Sequence, residues 1–346
     1  MSLDLAIRPP FTGVHVVAMD RPRATVRLAG AIERWSNRAQ QALLNHLMRR
    51  VLTALDGDRA DLIREVNRLR AWRMRVEPPH PAHASIEAVR VAAPYREFAA
   101  PSGPADWFAP IRGEPSGFVF YVHGGSFAFE RSPAVTDLVA QFAAAAGARV
   151  FAPNYRLAPE HPCPAAVDDV VDAFRWFRRN WPDEPVVALA ESAGASILLA
   201  ALQRARRVGL AMPDGVLLLS PWVDLSLQSW SVIAHSLAGT TGTTAYAMAM
   251  MAHLYLGDIP ATDPVASPLF GDFSDFPPIL IHASRADPLH DDSVRLAERI
   301  RAENGDLTVR LWTAEGHVWE KGRPSANARQ SIELGAAFIR ERLGQP

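Results

Sequence analysis

From Ala31 to about Met74, apolar residues recur every three or four positions: Ile32, Trp35, Ala39, Leu43 and Leu47, then, beyond a turn at Gly57, Leu62, Val66, Leu69 and Trp72. This period predicts two amphipathic helices. The 28 residues before them are broken by Pro9, Pro10, Gly13 and Pro22 and predict an irregular arm or short lid piece. A proline-rich linker, Glu77-Pro78-Pro79-His80-Pro81-Ala82-His83, follows the helices. Beyond it, short apolar runs alternate with helical stretches. Candidate strands are Ser85–Val91, a weak one near Trp107–Ile111, Phe118–Val122, Ala148–Ala152, Val186–Ala190, Gly215–Leu219, Pro278–Ala283 and Leu307–Trp312. Candidate helices are Thr136–Ala145, Ala165–Asn180, Gly194–Val208, Ser293–Glu303 and Ala326–Leu343. The alternation predicts an α/β fold with a mostly parallel, doubly wound, eight-stranded sheet. Residues 1–80 form an arm and helical cap segment, residues 81–346 the main domain, and the stretch from Leu225 to about Leu256 is a second insertion.

Composition narrows the partners. A chain of 346 residues with 49% hydrophobic and 21% charged residues and a formal net charge of -1 carries no nucleic-acid signature. No apolar run approaches the roughly 18 residues of a membrane span, and the first ten residues contain no signal-peptide core. Cys163 is the single cysteine, so no intrachain disulfide forms, and a cytoplasmic location is expected. The arginines of the first two helices (among them Arg49, Arg50, Arg64, Arg68, Arg70, Arg73 and Arg75) are expected on a solvated face with Asp61 and Glu65. His80 and His83 have no companions at ligand spacing, so no metal is expected there, nor any organic cofactor elsewhere.

Candidate chemistry sits at the ends of strands. In Leu189-Ala190-Glu191-Ser192-Ala193-Gly194-Ala195, a serine occupies a small-residue turn between an apolar strand and a helix. Such a turn presents a nucleophile, or it merely caps the helix; the turn alone supports both readings. His123-Gly124-Gly125-Ser126-Phe127 follows another apolar strand, and its backbone N–H groups either converge on an oxyanion or simply make a tight turn. Asp287 ends a later strand, while Asp291 and Asp292 fall where the next helix begins and read as its cap. His317 stands on its own loop after the last strand, which favours it as base over His161, His253, His282 and His290. Ser192, Asp287 and His317 thus follow in the order Ser, Asp, His.

Taken together, His123-Gly124-Gly125, Asn154-Tyr155-Arg156-Leu157-Ala158-Pro159-Glu160, Glu191-Ser192-Ala193-Gly194, Ser220-Pro221-Trp222, Asp287-Pro288-Leu289 and Gly316-His317 resemble the hormone-sensitive-lipase-like (family IV) esterases of the α/β-hydrolase superfamily, from about residue 85 onward. The resemblance implies an α/β-hydrolase fold with a helical cap and a carboxylesterase acting through an acyl-enzyme. Ser192 would be the nucleophile, His317 the base and Asp287 its orienting acid. Backbone N–H groups of Gly124, Gly125 or Ser126, with Ala193, would hold the oxyanion. It also implies short to medium acyl esters as substrates and a structural role for the Arg156–Glu160 segment. Ser126 replaces a third glycine, Ala190 and Ala195 replace glycines, and Glu191 stands where Asp is usual. Met248, Met250 and Met251 of the insertion either line an acyl pocket or pack the cap. Lactone or amide hydrolysis on the same triad, and a non-catalytic binding role, are the alternatives. A homodimer through an exposed edge at Leu307–Trp312 is also expected.

Overall fold

The computed structural model describes residues 14–16, 29–76, 105–109, 115–238, 245–322 and 324–345. In chain order its elements are β1 (Val14–Val16), α1 (Ala29–Leu55), α2 (Arg59–Val76), β2 (Asp106–Phe108), β3 (Phe118–Val122), α3 (Pro133–Ala146), β4 (Arg149–Ala152), α4 (Ala165–Asn180), β5 (Val186–Glu191), α5 (Ala193–Arg207), β6 (Gly215–Leu219), α6 (Trp230–Ala238), α7 (Ala245–Leu256), β7 (Ile279–Ser284), α8 (His290–Ala302), β8 (Leu307–Trp312) and α9 (Ala326–Arg342).

Strands β3, β5, β6 and β7 are buried along their whole length, which is why they appear in the sequence as continuous apolar runs. Alternate side chains still go to opposite faces. Phe118, Phe120, Val122, Ala188 and Ile281 pack into the core beneath α4, α5 and α8, while Val119, Tyr121, Leu189 and Leu217 pack against α3 and α9. The sheet order is β1-β8-β7-β6-β5-β3-β4-β2, parallel except for β2, which runs antiparallel to β4. β3 pairs with β4 on one side and β5 on the other, so the winding reverses there. The carboxyl ends of β3 and β5 therefore flank a crevice at the topological switch point.

Three expectations about the sheet and α8 need correction. Residues 14–16, read as part of an irregular arm, form β1, which pairs in parallel with β8 (Val14 opposite Val309). A three-residue strand is too short to show a period. β1 also covers the β8 edge on which pairing between two copies was expected, so that edge is not open. Third, α8 begins at His290, three residues earlier than expected, and its acids do not cap it. Asp292 accepts the Val223 and Asp224 N–H groups (2.9 and 3.1 Å), and Asp291 accepts the Ser231 N–H (2.8 Å). They tie α8 to the chain after β6. The candidate strand Ser85–Val91, together with His80 and His83, lies outside the described residues.

The insertion supplies α6 and α7, and α1 folds back on α2 through Asp56–Asp58, with Arg50 paired to Glu65 at 2.7 Å. Arg49, Arg50, Arg64, Arg68 and Arg75 are exposed as expected. Arg70 is not: it pairs with Glu160 (2.7 Å) and donates to the Ala128 and Ala158 carbonyls (2.7 and 2.8 Å), pinning α2 to the main domain. Among the described residues, no helix is long and apolar enough to cross a membrane.

Candidate active site

Ser192 joins β5 to α5 with φ 54° and ψ -128°, a conformation that side-chain-bearing residues avoid. Its hydroxyl makes no capping bond to α5, which removes the reading as an ordinary helix cap. Instead Oγ lies 2.8 Å from His317 Nε2. His317 Nδ1 lies 3.1 and 3.2 Å from the two Asp287 oxygens. A carboxylate only accepts, so Nδ1 carries the ring proton and Nε2 is left to accept from the serine. The structure thus brings together the three residues singled out in the sequence, from loops after three different strands.

Asp287 is buried. Burial alone would raise its pKa, but the His317 charge and hydrogen bonds from His317, Ser220 and the Leu289 N–H outweigh it, and the carboxyl is held below its ordinary value. It therefore remains ionised beside the imidazole.

The turn is close-packed against the loop after β3. A Cβ on Gly194 would stand 2.4 Å from the Val122 carbonyl oxygen and 2.5 Å from that of His123, so only glycine lets α5 approach. A Cβ on Gly124 would fall 2.2 Å from the Glu191 carboxylate. That carboxylate accepts the Gly124 N–H at 2.5 Å and the Tyr121 hydroxyl at 3.2 Å. This corrects one expectation: the Gly124 N–H is committed to Glu191, which leaves Gly125, Ser126 and Ala193 as candidate oxyanion donors. Glu191 is fully buried; burial raises its pKa, against Lys321, the Gly124 N–H, Arg73 and His317. Its longer side chain braces the loop rather than merely crowding the bend. Ser126 is held at φ 50°, in the left-handed region that favours glycine. Ala190 and Ala195 are fully buried and packed within the main core.

Behind the loop, the Tyr155 hydroxyl donates to the His123 carbonyl (2.6 Å), and the two rings stack at 4.3 Å. Burial pushes the His123 pKa down to about 3, so its ring is neutral and structural. A cavity of about 260 Å³ opens onto Ser192 and His317, walled by α1, α2 and α7 through residues such as Met48, Leu69, Trp72, Met248 and Met251 and floored by Phe129, Trp222 and Leu289. Among the described residues, no group of three His, Cys, Asp or Glu side chains could hold a metal ion.

A profile described as alpha/beta hydrolase fold matches residues 119–321. An acetyl-hydrolase of Streptomyces hygroscopicus is 34% identical over 243 residues, covering 70% of this chain and 81% of its own. Among solved structures, a hormone-sensitive lipase from a metagenome library superposes with a TM-score of 0.71 at 28% identity, covering 88% of this chain and 98% of its own. An esterase/lipase from an uncultured bacterium does so with a TM-score of 0.71 at 30% identity, covering 81% and 92%. The chain belongs to the α/β-hydrolase family. It falls among the hormone-sensitive-lipase-like esterases of that family and is an enzyme acting on ester bonds.

Sequence reasoning assigned no role to two residues that this esterase places at the site. Ser220 (φ 45°) hydrogen-bonds Asp287 and accepts the Val318 N–H at 3.2 Å, linking acid and histidine loops. Its motif was visible but its target was not, because adjacency of β6 and β7 sets the contact. Arg73, expected on the solvated face, instead lines the cavity. The signal was present: Leu62, Val66, Leu69, Arg73 and Val76 are spaced by four, three, four and three residues, so Arg73 occupies a position in the apolar stripe.

Proposed function

We propose that this esterase hydrolyses carboxylic esters of short to medium acyl chains through an acyl-enzyme on Ser192. The supporting observation is the hydrogen-bonded line from Ser192 Oγ through His317 to Asp287 at the mouth of an apolar cavity. His317 Nε2 takes the serine proton as Oγ bonds to the ester carbonyl carbon, and Asp287 stabilises the resulting imidazolium. The carbonyl oxygen becomes an oxyanion facing the N–H groups of Gly125, Ser126 and Ala193, at the positive end of α5. Collapse of the tetrahedral species expels the alcohol, which receives the proton from His317. Water, deprotonated by the same nitrogen, then releases the acid.

The size of the cavity supports this acyl length. About 260 Å³ lies just below the roughly 300–1,000 Å³ of drug-sized ligand pockets, which suits a short or medium chain and not a long one. The name of the Streptomyces relative, an acetyl-hydrolase, points the same way. In this reading α1 and α2, with the insertion of about 225–256, form a two-part cap in which α1, α2 and α7 close the cavity, while β1 belongs to the main sheet.

Labelling with a fluorophosphonate, compared between the wild type and Ser192→Ala, tests the nucleophile; a panel of aryl esters of graded chain length tests the cavity. Serine-dependent labelling and highest turnover below about ten acyl carbons are expected. Equal labelling of Ser192→Ala, or highest turnover on longer chains, would contradict the respective part.

A further inference from the structure

Helix α6 is amphipathic with its faces exchanged. Trp230, Ile233 and Leu237, spaced by three and four residues, form one stripe along it, and the stripe faces solvent with 65, 39 and 78% of each residue exposed. The polar residues turn inward instead. Ser231 donates from Oγ to the Pro288 carbonyl (2.7 Å) and from its N–H to Asp291 (2.8 Å), and His235 Nε2 lies 3.1 Å from the Ala286 carbonyl. Ser236 Oγ accepts the Ala245 N–H at 2.6 Å. Rolling α6 to hide the stripe would strand these groups, so the apolar face is held outward. Tyr246 on α7, the helix beside α6, is half exposed as well. Among the described residues, eight large apolar side chains are exposed, and six of them stand on α1, α2, α6 and α7. The exposure is therefore concentrated on these four helices.

The size of the face bears on what covers it. A whole aromatic side chain amounts to about 150–250 Å², so at these exposures Trp230, Ile233, Leu237 and Tyr246 present on the order of 500 Å². Each partner of a stable dimer gives up about 800 Å², more than this face supplies to a second copy. A lipid surface sets no such threshold. An amphipathic helix lies in the lipid interface by burying one apolar stripe, and Trp and Tyr suit that boundary because each joins an apolar body to a polar tip. Charge points the same way. On the α1–α2 hairpin, a groove of about 660 Å³ is walled by Arg49, Arg50, Arg64 and Arg68 against only Asp61 and Glu65. Arg50 and Arg68 share Glu65, and Arg64 meets Asp61. Four arginines against two acids leave an excess of two positive charges, in a chain whose formal net charge is -1. Such a basic face attracts an anionic surface.

We propose that the outer face of α6 and the α1–α2 groove dock this esterase on an anionic lipid surface. α6 lies in the interface with Trp230, Ile233 and Leu237 immersed, and the arginines of the groove meet the phosphate-bearing headgroups. Because α1, α2 and α7 also wall the cavity, docking holds the cavity at the lipid.

Cosedimentation with vesicles tests this, using phosphatidylcholine alone and an equal mixture with phosphatidylglycerol. The proteins are the wild type, the double variant Trp230→Ser/Leu237→Ser, and Arg49→Glu, which reverses an exposed charge. The wild type should bind the anionic vesicles at least about tenfold more tightly than the neutral ones. The double variant should lose about tenfold or more, and Arg49→Glu about tenfold on anionic vesicles only, an effect that added salt reproduces in the wild type. Turnover of a water-soluble acetate ester should match the wild type in both variants, since neither touches the cavity; if the double variant falls short there, Trp230→Ser and Leu237→Ser singly take its place. A wild type that stays in the supernatant, equal binding to both kinds of vesicle, or full binding by the stripe variants overturns the proposal. So does a dimer in sedimentation equilibrium that the stripe variants dissociate, because a second copy would then be the occupant.

Discussion

The backbone at Ser192 offers a measurement that separates local strain from chemistry. At φ 54° and ψ -128° the residue lies near a region populated essentially by glycine, where a side-chain-bearing residue is strained by about 1–3 kcal/mol; this angle pair belongs in the upper part, near 2.5 kcal/mol. Ser192→Ala and Ser192→Gly both remove the hydroxyl and its bond to His317, so comparing the two cancels that loss. Glycine relieves the strain, gives back about 0.7 kcal/mol through the greater freedom of its unfolded chain, and loses about 0.8 kcal/mol by deleting a buried carbon. About 1 kcal/mol remains in favour of Ser192→Gly. For a chain of 346 residues that is roughly 1–2 °C in melting temperature. Urea titration of the two variants at one pH reads the difference directly, and neither variant should turn over esters. If Ser192→Ala equals or exceeds Ser192→Gly in stability, the sheet does not hold the serine in a strained bend. The sharp turn would then have to be explained without strain.

Gly194→Ala places a carbon 2.4–2.5 Å from two backbone oxygens that cannot rotate away, so β3 and α5 must separate. A loss of about 1–3 kcal/mol by urea titration and of about a hundredfold in kcat/KM is expected, since a shift of about 1 Å suffices for such a loss. Met251→Trp fills cavity volume, so the preferred acyl chain in a graded ester panel should shorten; an unchanged profile would take Met251 off the acyl path. Glu320 is fully buried, accepts the Ser331 hydroxyl at 2.6 Å, and has its pKa pushed up to about 7 chiefly by burial. The folded protein therefore holds its proton where the unfolded chain, ionising near 4.5, has lost it, so its contribution to stability is full below about pH 4.5 and is lost as pH rises through 7. Glu320→Gln, which can still accept from Ser331, should gain on the wild type by up to about 3 kcal/mol between pH 4.5 and 8. A pH-independent difference in urea stability would show that Glu320 is already ionised when folded.

Much of the fold was legible because its central strands are covered on both faces. Burial on both sides produces uninterrupted runs such as Phe118–Val122 and Gly215–Leu219, and their ends mark where chemistry must sit. The candidate residues Ser192 and Asp287 were legible for the same reason, each lying just beyond such a run. His317 follows β8, a half-buried strand interrupted by Thr308 and Arg310, and was legible from its place on a loop after the last strand. What escaped depends on neighbours in space. β1 consists of three residues held by the edge of β8, with no period to detect. Ser220 acquires its partner because Leu219 and His282 are opposed in register, which brings the loops after β6 and β7 side by side. The engagement of the Gly124 N–H by Glu191 requires knowing that β3 and β5 are adjacent.

The remaining illegible feature is backbone conformation itself, and its distribution follows a rule. Ser126, Phe127, Ser192, Ser220 and Val318 all have φ between 45° and 63°, and all belong to loops that build the site. Local propensity opposes each of them, since each side chain is uncomfortable in the left-handed half of conformational space. They persist because both ends of these loops are fixed by buried sheet: Ser192 N–H donates to the Leu219 carbonyl (3.0 Å), Ser220 N–H to that of His282 (2.9 Å), and Val318 N–H to the Ser220 hydroxyl. A rigid frame can impose a conformation that a free loop would leave. Three loops bent toward one crevice at the switch point then hold Ser192, Asp287 and His317 at hydrogen-bonding distance. The same frame explains how Ser126, which carries a side chain, can stand at φ 50°. The sheet and the Glu191 brace set the loop, and the residue conforms to it.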